Sequence, residues 1–227
     1  LARYATGGVA LGAEQKAALA VGRGQHVLLS QHIGDLKNLE TLDHYREALD
    51  TFLRLFRITP STLVCDLHPD YFSTREAQEH AKRSALPLLQ GQHDWAHMAS
   101  CMADNRLAGP VFCIGGDGTG YGTDHAIWGG EFLAGDFQTF RRCGSIRPIF
   151  LPGGDAATRE IGRIGLSLLW DAGLPLDRAP LESPKKPALR AMLDSRPACP
   201  KASSIGRLFD GVNSLLPGTH KVCYEGP

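Results

Sequence analysis

Gln92-His-Asp-Trp-Ala-His-Met-Ala-Ser-Cys-Met-Ala-Asp-Asn105 and, just beyond it, Pro110-Val-Phe-Cys-Ile-Gly-Gly-Asp-Gly-Thr-Gly-Tyr-Gly-Thr-Asp124 decide the fold class of this chain. The first stretch reads as a helix over 92–105, and the second opens as a strand over 110–115 that ends in glycines. Upstream the same alternation continues. Residues 86–89 form a short apolar run typical of a buried strand. Residues 73–85 read as a helix, with Ser73 and Glu76 at capping-box spacing. Residues 62–66 are strand-like. Over 39–56 the apolar positions Leu39, Leu42, Tyr45, Leu49, Phe52, Leu53 and Phe56 recur every three to four residues behind a possible Asn38 cap, which predicts an amphipathic helix. Segments 8–11, 17–21 and 26–29, separated by glycines, read as an antiparallel meander. The order βββαβαβα calls for a sheet covered by helices, an α/β fold.

Downstream of residue 115 the chain reads as loop-rich as far as Trp128-Gly-Gly-Glu131, then as strands over 131–133 and 137–142, a turn at Pro152-Gly-Gly-Asp155 and a helix over 156–170. Six prolines between 173 and 200 suggest a surface connection with one short helix over 188–193. Ser203-Ser204 caps a last helix with Leu208, Val212, Leu215 and Leu216 on one face.

Twenty-four basic residues balance 24 acidic ones, so nothing in the bulk charge attracts a polyanion, and nucleic acid is not an expected partner. No apolar run approaches the roughly 20 residues of a membrane helix, and a cytoplasmic location is expected. Six cysteines without a C-x-x-C pair read as reduced structural thiols. The chain begins at Leu1 and stops after Tyr224-Glu-Gly-Pro227, and both ends read as cuts through a larger domain.

Three features carry chemistry. His93 and His97, four apart on a helix, project from one face, where two imidazoles can share a first-row metal; such a pair alone also suits packing or surface roles. The strand that follows delivers Asp117, a carboxylate able to complete a facial two-histidine, one-carboxylate set. Around Asp117, Gly115, Gly116, Gly118, Gly120 and Gly122 with Thr119 and Thr123 form a turn whose backbone can approach an anion, though a tight hairpin explains such a cluster equally well. Asp210, flanked by glycines on the last helix, suits a ribose hydroxyl or a solvated face. His32 and Asp35 sit at a strand-to-helix turn with a possible substrate role. Asp155 reads as a turn and helix cap.

Leu29-Ser-Gln-His-Ile-Gly-Asp-Leu36, Cys65-Asp-Leu-His-Pro-Asp-Tyr71, the His93/His97 pair, Asp117-Gly-Thr-Gly-Tyr-Gly-Thr-Asp124, Ile127-Trp-Gly-Gly-Glu131, Leu151-Pro-Gly-Gly-Asp-Ala-Ala157, Gly206-Arg-Leu-Phe-Asp210 and Tyr224-Glu-Gly226, in this order, closely resemble the C-terminal carbamoyl-transfer domain of the hydrogenase maturation factor HypF. The resemblance implies an actin-like ASKHA fold, shared with TsaD-like tRNA threonylcarbamoyl-transferases. A ribonuclease-H-like lobe would span 1–133 and part of a second lobe 134–227.

It further implies transfer of a carbamoyl group from carbamoyl-adenylate, made from ATP and carbamoyl phosphate by a separate YrdC-like domain. The acceptor is the C-terminal cysteine of HypE, and the product leads to the cyanide ligands of [NiFe]-hydrogenase. The metal, iron or zinc, falls on His93, His97 and Asp117. Nucleotide or carbamoyl-adenylate contacts fall on Gly118, Thr119, Gly120, Asp210, Glu225 and Gly226, with His32, Asp35 and Asp155 as possible substrate contacts. Asp94 and Trp95 stand where the family has histidines, and the chain by itself is expected to be inactive in the full cycle. A TsaD-like tRNA-modifying enzyme and an inactive metal- and nucleotide-binding module are the alternatives.

Overall fold

A computed structural model of the chain describes residues 5–216. The chain divides into two compact units, Leu1–His93 and Asp94–Pro227. A boundary at 133/134 was expected, but it would cut through strand β7 (Ile127–Gly135), whose ladder with its neighbours is continuous there.

In the first unit β1 (Gly8–Ala10), β2 (Ala20–Arg23) and β3 (His26–Leu29) form the antiparallel meander. β4 (Thr62–Asp66) and β5 (Leu88–Gly91) join it in parallel, giving the order β3-β2-β1-β4-β5. The second strand lies later than its apolar run suggested, because Ala17 makes only an isolated bridge to Gly34. Helix α1 (Leu39–Leu55) follows the predicted pattern, and Asn38 Oδ1 accepts from Glu40 N and Thr41 N at 2.9 and 3.3 Å. Leu42, Tyr45, Ala48 and Leu49 are buried with Val9, Leu11, Leu19, Val21 and Leu63 in one core. The Tyr45 hydroxyl donates to Leu11 O at 2.6 Å, so its polar end is satisfied inside that core.

Helix α2 (Phe72–Ser84) overturns the capping-box expectation. Ser73 lies inside the helix, buried, with an unpartnered Oγ. The carboxylate that receives the first helical N–H belongs to Glu14, whose Oε2 lies 2.7 Å from Phe72 N. An acidic group from another segment satisfies both the orphan donor and the positive end of the helix dipole. Burial pushes the Glu14 carboxyl upward, opposed by that hydrogen bond.

The second unit opens with α3 (His93–Asp104) continuing from the first. β6 (Val111–Tyr121) is nearly twice as long as the expected strand, because the glycine-rich segment is itself strand. It pairs antiparallel with β7 on both sides of an irregularity between Gly116 and Gly120, so the supposed loop is a bulge in a ladder. β7 also pairs with β8 (Phe140–Ser145) and β10 (Lys201–Ala202), and β10 with β9 (Ile149–Phe150).

The helix expected over 156–170 is two helices, α4 (Asp155–Arg159) and α5 (Gly162–Asp171), broken at Glu160 and Ile161. After a 3-10 turn (Leu176–Arg178), the proline-rich stretch holds α6 (Lys185–Ser195), longer than expected. Pro187 lies in its first turn, where a missing N–H breaks no intrahelical bond.

In α7 (Ile205–Leu215) the expected apolar inward face is also reversed. Arg207, Asp210, Gly211 and Ser214 are buried, whereas Phe209, Val212 and Leu216 are exposed. The cause lies in the crossing with α5. A Cβ on Gly165 would lie 2.3 Å from Ser214 Oγ and 3.3 Å from Gly211 O, a distance only small residues on the facing sides permit. The five described cysteines are free thiols, Cys65 and Cys199 buried, Cys113 half-buried, and Cys101 and Cys143 exposed. Among the described residues no helix is long and apolar enough to cross a membrane.

Candidate functional site

α3 carries His93 in its first turn and His97 one turn later, and β6 carries Asp117 at the start of the bulge. Their ligand atoms all lie within 4.8 Å of one another. Two imidazoles and one carboxylate at that separation fit the donor set of a first-row divalent metal. His93 and Asp117 are partly buried and His97 is exposed, so the group is rooted in structure on one side and reachable on the other.

His93 is held from behind. Its Nδ1 lies 2.7 Å from Asp66 Oδ2, at the end of β4. Asp66 is itself fixed, since Oδ1 accepts from His68 N at 2.8 Å and its carbonyl accepts from Thr74 Oγ1 at 3.2 Å. Trp95, between the two histidines in sequence, turns elsewhere. Its Nε1 donates to Asp136 O at 2.8 Å, and its ring stacks on Phe140 at 5.2 Å beside the cluster of Met98, Met102, Trp128 and Leu133. Asp94 is buried.

The bulge that presents Asp117 is pinned within its own unit. Asp117 Oδ2 accepts from Thr119 N at 3.3 Å, closing a tight local turn. Ser204, the N-cap of α7, places its Oγ 2.9 Å from Asp117 O and 2.7 Å from Gly118 O, donating between them while accepting Arg207 N at 3.0 Å. Gly129 on β7 backs the same carbonyl: at φ +147° it leaves no room for a Cβ, which would fall 2.5 Å from Asp117 O.

Beneath these contacts lies a charged network that sequence reasoning missed. Glu131 is 0% exposed. Its Oε2 accepts from Arg142 Nε at 2.6 Å, and its Oε1 accepts from Ser203 Oγ and, more weakly, from Gly129 N and Gly130 N. Arg142 also meets Ser203 Oγ and Asp124 Oδ2, both at 3.1 Å, and lies 4.2 Å over the Trp128 ring. Burial works against the Asp124 carboxylate, but hydrogen bonds from Ala126 N and Trp128 Nε1, together with the Arg142 charge, hold it below the ordinary range. The available signal was the acid closing Trp128-Gly-Gly-Glu131, a charge inside an otherwise apolar strand.

The other expected site residues are not gathered into the metal-type group. Asp210 is buried on α7 with its Oδ2 2.9 Å from Arg207 Nη1, so it does not stand on the solvated face its spacing allowed. His32 and Asp35 are exposed, and Asp35 Oδ1 accepts from Lys37 N at 3.0 Å. Asp155 is exposed as the first residue of α4, behind the N-cap Gly154. Glu225 and Gly226 lie outside the described residues.

Comparison with known proteins assigns the architecture. Residues 5–104 match the model of the HypF Kae1-like domain, and residues 113–227 match that of the carbamoyltransferase Kae1-like domain, second subdomain. The chain belongs to the HypF Kae1-like carbamoyltransferase domain family. Carbamoyltransferase HypF of Rhizobium leguminosarum bv. viciae is 39% identical over 221 residues, covering 96% of this chain and 28% of that protein. Carbamoyltransferase HypF2 of Cupriavidus necator is 38% identical over 229 residues, and the chain again spans only 28% of it.

Among solved structures, full-length HypF in its phosphate- and nucleotide-bound form superposes with a TM-score of 0.88 at 33% identity, over 96% of this chain and 29% of that one. HypF of T. kodakarensis gives 0.89 at 33%, over 97% and 31%. The α/β, actin-like ASKHA fold implied by the sequence resemblance is therefore the one found. These two HypF proteins are more than three times as long as the part this chain matches.

Proposed function

We propose that this chain is the carbamoyl-transfer part of a HypF-type enzyme. It takes carbamoyl-adenylate against the Gly118-Thr119-Gly120 bulge and passes the carbamoyl group to the C-terminal cysteine of a HypE-like partner, on the route to the cyanide ligands of [NiFe]-hydrogenase. The observation that carries this reading is the convergence of His93, His97 and Asp117 beside a glycine bulge, in a chain of this family.

The chemistry is acyl transfer from a mixed anhydride. The acceptor thiolate attacks the carbamoyl carbon, a C–S bond forms, and the bond to the phosphate oxygen breaks with its electron pair leaving on AMP. His93, His97 and Asp117 would hold an iron or zinc ion, which when bound supplies Lewis-acid stabilisation of developing negative charge. On the bulge Thr119 is exposed and Gly118 half-buried, the part of it a phosphate would meet, whereas Gly120 is buried; the family resemblance assigns Asp210, Glu225 and Gly226 to the nucleotide and leaves His32, Asp35 and Asp155 for substrate contacts. Burial pushes the Cys65 thiol, beside Asp66, up to about 11, where little thiolate forms near neutral pH, which argues against Cys65 as the acceptor.

The test is a graft of this chain in place of the matching segment of the Rhizobium leguminosarum HypF. With ATP, carbamoyl phosphate and a HypE acceptor, intact-mass measurement should show the acceptor gaining one carbamoyl group, and His97→Ala in the graft should abolish the gain. A folded graft that transfers nothing, or a His97→Ala graft that transfers as well as its parent, overturns the proposal.

A further inference from the structure

We propose that Asp66 is a positioning residue for the metal group, setting the ring tautomer and orientation of His93. The inference deepens the metal reading above and rests on it. The Asp66 carboxylate can only accept, so the 2.7 Å contact to Nδ1 selects the imidazole that carries its proton on that nitrogen. In the neutral ring Nε2 is then the nitrogen that keeps the lone pair with which an imidazole ligates a metal. A metal-bound histidine whose other nitrogen donates to a carboxylate is held in one ring orientation and gains basicity.

Asp66 is built for this task. Its side chain is 6% exposed, its second oxygen is occupied by His68 N, and its own carbonyl is tied to the Thr74 hydroxyl on α2. The carboxylate therefore cannot swing towards solvent when His93 moves. Nothing in the spacing of the sequence links the two residues, which lie 27 apart. The end of β4 and the start of α3 bring them together.

The experiment compares Asp66→Asn with wild type and with His93→Ala, using the whole chain. In Asp66→Asn, an amide oxygen kept towards His68 N presents an NH2 group to His93, which favours the opposite tautomer. Zinc(II) affinity, read by competition with a chromophoric chelator, should weaken by about ten- to a hundredfold in Asp66→Asn and be lost in His93→Ala. In the metal-free protein at about pH 8, nitrogen-15 NMR of the His93 ring should show the Nδ1–H form in wild type and the Nε2–H form in Asp66→Asn.

Unchanged zinc affinity in Asp66→Asn, or an Nε2–H ring in wild type, overturns the proposal. A loss as complete as that of His93→Ala also overturns it, since Asp66 would then be a ligand. A wild-type chain that holds the Nδ1–H ring but binds no zinc refutes the metal reading separately. Circular dichroism and Asp66→Ala, which removes the acceptor without offering a donor, guard against simple misfolding: a folded Asp66→Ala should show weakened zinc binding too, and normal binding there counts against the proposal.

Discussion

Replacing Glu131 by Gln tests the charged network under the Asp117 bulge with almost no change of shape. Every partner of this carboxylate is a donor: Arg142 Nε, Gly129 N, Gly130 N and the Ser203 hydroxyl. A glutamine must turn its NH2 group either to the guanidinium or to the backbone N–H pair, so one donor always faces another. Ser203 has an escape, because its hydroxyl also reaches Ile127 O, but the N–H groups and Arg142 have none on that side.

Breaking a buried pair by removing one partner costs about 3–5 kcal/mol. Here Arg142 keeps 27% side-chain exposure and its contact with Asp124, which lowers the expected loss to about 2–4 kcal/mol. For a unit of this size that corresponds to a fall of roughly 8–16 °C in Tm. All three tryptophans, Trp95, Trp128 and Trp170, belong to the second unit, so fluorescence-monitored urea unfolding reports that unit without interference from the first. A double-mutant cycle with Arg142→Met should give a coupling of about 2 kcal/mol. An unchanged urea midpoint, or additive single and double variants, would refute the reasoning.

Two further outcomes are expected. Gly129→Ala forces a Cβ into 2.5 Å contact with Asp117 O at a φ of +147°, and should cost about 3 kcal/mol or more in the same urea assay; a variant as stable as wild type would show that the bulge yields freely. Lys185 and Arg163 hold Glu160 below the usual carboxylate range. A lowered folded value means that the unfolded chain binds more protons, so Glu160 contributes fully above about pH 4.5 and loses that contribution as pH falls through its folded value. The Glu160→Gln penalty, below about 1 kcal/mol because solvent screens the pairs, should be present at neutral pH and vanish in acid; a penalty that persists at the lowest folded pH contradicts the assignment.

The elements that could be read from sequence are those whose cause is local. The spacing of Leu42, Tyr45 and Leu49 fixes a helix face, Asn38 caps its own next turn, and His93 and His97 share a face because an α-helix returns after about 3.6 residues. Together with the strand run before Gly115 they establish the α/β order and the shared face of the two histidines.

What escaped depends on groups distant in the chain. Glu14, not Ser73, receives the first N–H of α2, because a carboxylate 58 residues away is better placed to satisfy it. The glycines around Asp117 form a strand bulge, because β7 lies alongside to take their backbone groups. α7 buries Arg207 and Asp210 and exposes Val212, because glycines at its crossing with α5 permit a closer approach than its leucines could. Thus the sequence by itself determined which residues could bind a metal and on which element two of them sit. Only the tertiary structure decided that Asp117 reaches them, that Asp66 stands behind His93 and that Glu131 anchors the sheet beneath, since hydrogen-bond satisfaction chooses partners by position in space and no local period encodes it.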